Sequence, residues 1–259
     1  MGSRSTWNGT VTFGLLIIPV GLHTAVREQD LSFKQLCPTH AAPIQMKRFC
    51  TRAEEEVAYA DLVKGYEVGP GDYVVLREED FEHAARPIPR TFDLELFVAE
   101  AEVDLRFFHT AYFVVPKPEA ARAYALLREA LRRTEKVGVG RIALKTRQQV
   151  AALRVLGSAL VLQLMHWPDE LEPAAGYAFP DADLQPAELE LASELIAGYA
   201  GQLSTASFTD EYRANLQRII EARVSGAEID LPPAPEPQAS GVVDLVAALR
   251  ASVAARQAA

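Results

Sequence analysis

Cysteine is scarce: the 259 residues hold two, Cys37 and Cys50. So few thiols cannot build a disulfide framework, and the chain reads as a protein of a reducing compartment. Long apolar runs are missing as well. The two best, Leu15 to Leu22 and Leu156 to Met165, are broken by Pro19, Gly21, Gly157 and Ser158. Both fall short of the ~18 residues that span a bilayer. The N-terminus is polar and shows no secretory signal, so a cytoplasmic location is expected. Catalytic signatures are absent too. There is no H-E-x-x-H, G-x-S-x-G or P-loop, and His23, His40, His83, His109 and His166 are scattered. Gly138-x-Gly140 lacks a third glycine and reads as closing a helix rather than opening one, so no dinucleotide site is expected. The acidic runs Glu54 to Glu56 and Glu78 to Asp80 read as solvated surface. No enzyme is expected.

Positive charge is also short. The chain has 26 basic and 35 acidic residues, a net charge of −9. Taken whole, that disfavours a polyanion as partner. The distribution does not. Residues 121–160 hold nine basic and two acidic side chains, whereas the sequence on either side is acidic. Such a segment fits a protein that meets a polyanion at one confined surface. It also fits a solvated helix face that is merely basic.

What is present suffices for a core: 49% hydrophobic and 24% charged residues over a length of one or two folded units. Thr10 to Phe13, Leu15 to Leu22, Tyr73 to Leu76, Phe92 to Val98 and Tyr112 to Val115 read as strands. Residues 31–80 read as short β-like pieces among turn signals. Pro118 to Thr134 is a helix with Tyr124, Leu127 and Leu131 on one face, ended by Gly138-Val139-Gly140. Arg141 to Lys145 is a strand. Val150 to Val155 is either a short helix or the lead into the apolar strand Ala159 to Met165. Pro186 to Leu203 is an amphipathic helix with Leu189, Ala192, Ile196, Tyr199 and Leu203 as its stripe. The next helix is capped by Thr209, buries Tyr212, Leu216, Ile219 and Ile220, and stops at Gly226. Residues 227–241 carry four prolines and form a stiff linker. Beyond it Val242, Leu245, Val246, Leu249 and Val253 make a tethered amphipathic helix with no evident core to join. It either folds back on its own body or docks in a partner's groove, and the tether favours docking.

Cys37, His40 and Cys50 invite a zinc reading. A structural site takes four ligands, commonly from C-x-x-C knuckles. Ala53 stands where the knuckle at Cys50 would need a second thiol. The pair therefore reads as two free thiols, and neither metal nor cofactor is expected.

Seven short stretches then fall into a known order. They are W-N-G-T-V-T-F-G-L-L-I-I-P-V (Trp7 to Val20), K-R-F-C (Lys47 to Cys50), D-L-V-K-G-Y-E (Asp61 to Glu67) and A-Y-F-V-V-P (Ala111 to Pro116). After them come W-P-D-E-L (Trp167 to Leu171), P-A-E-L (Pro186 to Leu189) and Y-x-x-x-L-x-x-I-I from Tyr212. In these the chain resembles the prokaryotic Ku family, and V-V-D-L-V-A-A-L-R-A-S-V (Val242 to Val253) resembles that family's tail. The resemblance implies an α+β protein: a β-barrel body with an extended helical arm, forming a ring-shaped homodimer. It implies sequence-independent binding of double-stranded DNA ends and recruitment of an ATP-dependent DNA ligase for non-homologous end joining.

On that basis residues 1–180 are the barrel and DNA-embracing region, 181–226 the helical arm for dimerisation, 227–241 the linker and 242–259 the ligase-docking helix. Phosphate contacts are expected from Lys47, Arg48, Arg132, Arg141, Lys145 and Arg147, and ligase contacts from Leu245, Leu249 and Val253. The protein would be associated with the nucleoid when DNA is broken. Relatives often have Lys-Leu-Tyr where Gly21-Leu22-His23 stands, one phosphate contact fewer. No lysine-rich tail occurs up to Ala259, so travel along DNA by such a tail is not expected. The reading from a different class is a protein-binding scaffold whose basic segment docks an acidic partner.

Overall fold

The computed structural model describes residues 4–84, 89–144, 147–179, 181–205, 208–229 and 245–257. The chain divides into two compact units, one of residues 1–29 and 33–176, the other of 30–32 and 177–259.

The first unit is built on a closed seven-stranded barrel. Its strands are β1 (Trp7–Phe13), β2 (Leu16–Thr24), β5 (Thr91–Ala99), β6 (Phe108–Pro116), β7 (Lys136–Leu144), β8 (Arg147–Leu156) and β9 (Ala159–Met165). Around the barrel the order is β1-β2-β6-β9-β8-β7-β5. Six seams are antiparallel, and the seventh closes the barrel by pairing β1 with β5 in parallel, Thr10 to Thr12 against Thr91 to Asp93. Alternation fills the interior: Val11, Ile18, Val20, Leu22, Phe92, Ile142, Leu153, Leu160 and Leu162 are buried in one cluster. Helix α2 (Ala121–Thr134) adds Tyr124, Leu127 and Leu131 to that cluster, the face that its 3.6-residue period marks out. The Tyr124 hydroxyl accepts a buried 2.7 Å hydrogen bond from the Leu160 amide, and burial pushes its pKa up.

The seam around Trp7 is tightly specified. The indole N–H donates 2.9 Å to the Ala143 carbonyl, across the barrel from β1 to β7. A Cβ on Gly9 would overlap both that indole and the Arg90 carbonyl. The Arg90 carbonyl in turn accepts from the Thr10 amide at 3.0 Å. Glycine is needed there because backbone and ring pass too close for any side chain.

Two strand assignments differ from the sequence reading. Gly138-Val139-Gly140 does not end the helix. Glu135 does, with a left-handed φ of 53°, and the two glycines lie within β7. They serve close packing: a Cβ on Gly140 would run into the Asp93 carbonyl, where β5 carries a bulge between Leu94 and Leu96. Val150 to Val155 is strand, because β8 is held between β7 and β9 and pairing overrides local ambiguity.

Between β2 and β5 lie β3 (Lys64–Gly69) and β4 (Asp72–Leu76), a separate two-stranded sheet, and the short helix α1 (Glu78–Ala84). No described residue from 25 to 90 is buried.

The second unit holds α3 (Pro186–Tyr199), α4 (Glu211–Ser225) and α5 (Leu245–Gln257). Asp210, not Thr209, caps α4: its carboxylate accepts 2.9 Å from the Arg213 amide. The face predicted to be buried on α4 is only partly covered: Tyr212 is 78% exposed, Leu216 and Ile219 are half-buried, and no residue of the helix is fully buried. Helix α5 does find a neighbour, packing on α3. The prolines of the linker lie outside the described residues.

Gly140→Ala is expected to destabilise the barrel by about 1–3 kcal/mol through overpacking. Tyr124→Phe is expected to cost about 1–3 kcal/mol by leaving the Leu160 amide buried without an acceptor. Urea unfolding followed by tryptophan fluorescence checks both.

Candidate nucleic-acid interface

The predicted cations sit on four elements. Lys47 and Arg48 belong to the excursion between β2 and β5, Arg132 to the last turn of α2, Arg141 to β7 and Arg147 to β8. Lys145 lies outside the described residues.

Their surroundings differ. The Lys47 ammonium pairs with Glu56 at 2.7 Å, with both side chains half-exposed. Arg48 stacks its guanidinium 4.8 Å from the centre of the Tyr59 ring. Arg141 pairs with Glu95 at 3.4 Å on the barrel exterior. Exposed pairs of this kind contribute about 0–1 kcal/mol, so a phosphate can displace the carboxylate at little cost. Arg147 has no ion-pair partner among the described residues. It stands opposite Leu144, on the same sheet face as the core-packed Leu144 and Ile142. Arg141 projects from the other face, so alternation separates two cations six residues apart in sequence.

Arg132, itself half-exposed, also holds contacts within the fold. It pairs with Glu129 at 3.0 Å and donates to the Gly157 carbonyl, while Arg128 donates 2.7 Å to the Ser158 carbonyl. Gly157 and Ser158 are the two-residue turn between β8 and β9, so these arginines tie α2 to that turn. Arg133 also pairs with Glu129, and Arg154 with Glu100. Part of the basic segment is thus internal bracing.

The excursion carries features that the sequence reading passed over as turn-rich strand pieces. Phe33, Met46, Phe49, Tyr59, Val63, Tyr66, Val68 and Tyr73 are all exposed. An isolated two-stranded sheet is marginal by itself, and this one is wet on both faces. The available signal was the density of aromatics between Phe33 and Tyr73, without the periodicity that would have closed them on a local core.

The two cysteines occupy equivalent turns. The Cys37 amide donates to the Ala42 carbonyl and the Ala41 amide to the Cys37 carbonyl, each at 2.8 Å. Cys50 repeats this with Glu55 and Glu54 at 2.9 and 2.8 Å. Ala41 and Glu54 both take left-handed φ, 48° and 55°. Backbone amides of His40 and Thr39 stabilise the Cys37 thiolate, and those of Ala53 and Arg52 that of Cys50, so both thiols titrate below the ordinary value. The Cys37 Sγ lies 3.4 Å from His40 Nδ1. Among the described residues no three potential ligands gather to hold a metal.

Two of the recognised motifs serve local geometry. In W-P-D-E-L, Glu170 accepts 2.7 Å from the Trp167 amide with Pro168 opening a 3-10 turn; in P-A-E-L, Glu188 accepts 2.8 Å from the Gln185 amide with Pro186 opening α3. Each is a carboxylate reaching back to cap the turn that a proline starts.

The lowered thiol pKa values predict that iodoacetamide alkylates Cys37 and Cys50 faster at pH 7 than an ordinary exposed cysteine. Unfolding in urea removes the amide donors and should slow the reaction to the ordinary rate, as mass spectrometry of time points would show.

No helix among the described residues is long and apolar enough to cross a membrane. Residues 12–192 match the family model described as the Ku70/Ku80 beta-barrel domain. A protein of Frankia casuarinae named "Non-homologous end joining protein Ku" is 40% identical over 98% of this chain, which spans 64% of that protein's length. Proteins of the same name from an Anaeromyxobacter species and from Archaeoglobus fulgidus are 38% and 32% identical, over 98% and 97% of this chain and 86% and 99% of their own. With that match over residues 12–192 and relatives at 32–40% identity, the chain belongs to the Ku family.

Proposed function

We propose that the protein binds double-stranded DNA ends without reading sequence, as a homodimeric ring, and serves non-homologous end joining. The observation that carries this is the excursion from 25 to 90. A Ku-type barrel projects about a quarter of its chain with no described residue buried and a run of exposed apolar side chains along it. Such surface calls for cover, and a second copy supplies it. The exposed Ile196, Tyr199, Tyr212 and Val224 of α3 and α4 call for the same. In a ring the cations can face inward while the acidic remainder faces out, which reconciles a net charge of −9 with DNA binding.

The chemistry is non-catalytic. Lys47, Arg48, Arg141, Lys145, Arg147 and Arg132 meet phosphates, and displaced counterions drive binding. Selectivity for ends is topological, because a closed ring loads only at a terminus. Residues 1–180 embrace DNA, 181–226 dimerise, 227–241 tether, and 242–259 dock an ATP-dependent DNA ligase through Leu245, Leu249 and Val253. The protein works in the cytoplasm, on the nucleoid at breaks.

Binding at fixed salt to a linear duplex and to a covalently closed circle of the same sequence tests the reading. Strong preference for the linear form supports a threaded ring. Equal binding to both contradicts it, and binding to neither favours a protein scaffold that docks an acidic partner. Alanine at Lys47, Arg48, Arg141 or Arg147 should each lower the salt slope by about 0.9 and leave thermal stability nearly unchanged. Arg132→Ala should lower the melting temperature as well, because Arg132 braces the β8–β9 turn.

A further inference from the structure

Helix α3 is apolar on more than one side. Leu189, Ile196 and Tyr199 are exposed. Leu191 and Leu195, on an adjoining face, are half-buried. A helix apolar around so much of its circumference lies between two partners rather than on one core. One partner is visible: α5 packs on α3 within the second unit.

The contact is specific at its C-terminal end. The Arg256 Nε donates 3.1 Å to the Gly198 carbonyl. Its guanidinium stacks 4.6 Å from the centre of the Tyr199 ring. Gly198 seats the arginine stem, since a Cβ there would touch Arg256 Cγ at 3.4 Å. A cation placed against the last carbonyls of a helix is also favoured by the helix dipole. Glu194, Leu195, Gly198, Val253 and Arg256 line one cleft between the two helices. On α5 the half-buried residues include Val246, Leu249 and Val253, the i, i+3, i+7 stripe that an amphipathic helix offers to a groove. Leu249 and Val253 are two of the three residues assigned above to partner docking.

We propose that α3 is an internal docking site that masks the partner-binding face of α5, with Arg256 as the latch. The proposal rests on the reading of α5 as the helix that docks a ligase. The same apolar stripe cannot face α3 and a partner's groove together, so partner affinity is reduced by the fraction of molecules in which α5 is released. A closed state favoured tenfold weakens apparent affinity about tenfold.

The test uses the full chain, Leu195→Asp and Tyr199→Ala on α3, and Val253→Asp on α5. Two quantities are read: hydrogen exchange of the 245–257 amides, and affinity for a purified ATP-dependent end-joining ligase. Masking predicts that both α3 variants speed exchange in 245–257 and raise ligase affinity, Leu195→Asp by about tenfold. Val253→Asp should speed exchange and lose the ligase. Unchanged exchange in both α3 variants overturns the cis contact. Faster exchange with unchanged or weaker ligase binding overturns masking. If Val253→Asp binds ligase as well as the unsubstituted chain, the ligase-docking reading itself fails, and exchange then reports the α3–α5 contact alone.

Discussion

The structure depends on one seam. Trp7 spans from β1 to β7 through its bond to the Ala143 carbonyl, and Gly9 lets the Arg90 carbonyl come close enough to accept from Thr10. Those contacts bring β5 alongside β1 in parallel and close the barrel. They also root both ends of the excursion at one place. Leu22, near the end of β2, lies opposite Trp7, and Thr91, the first residue of β5, lies beside Thr10. Without closure, a segment of more than sixty residues lacking any buried described side chain would have no fixed geometry.

The same constraint explains where stability lies and where it does not. The barrel interior and α2 share one apolar cluster, and the Leu160 amide beside it donates a buried hydrogen bond to the Tyr124 hydroxyl. The excursion and the helices α3 and α4 have apolar surface but no buried residue. Apolar area left in water contributes nothing until something covers it. The chain therefore separates into a self-sufficient scaffold and apolar surfaces left uncovered, the division that the proposed two-copy clamp would use.

Much of the barrel was legible because alternation survives in half-buried strands: Phe92, Leu94 and the run from Ala159 to Met165 announce themselves. The glycines of β7 did not. Gly138 and Gly140 look like punctuation, and only their distance to Asp93 and Leu94 on the bulged neighbouring strand shows them as packing residues. The helix at 211–225 was legible, but its apolar face was misplaced inside, since periodicity marks a face without saying what meets it. The basic segment shows the same ambiguity for charge. Composition flagged residues 121–160, yet Arg132 and Arg133 pair with Glu129 one helical turn away and Arg154 pairs with Glu100; helical spacing makes the first two pairs readable, whereas a partner as distant as Glu100 leaves no local trace. The docking of α5 on α3 was equally hidden, because a linker erases any sequence signal of where its far end returns.

We propose that closure around the duplex, rather than charge alone, holds the protein on DNA. The most direct measurement loads the chain on a linear duplex with biotin at both ends, adds streptavidin to block them, and then raises salt to about 1 M, where phosphate attraction is screened. A threaded ring stays on the blocked duplex and leaves an unblocked one. Equal, rapid loss from both would show that nothing encircles the DNA.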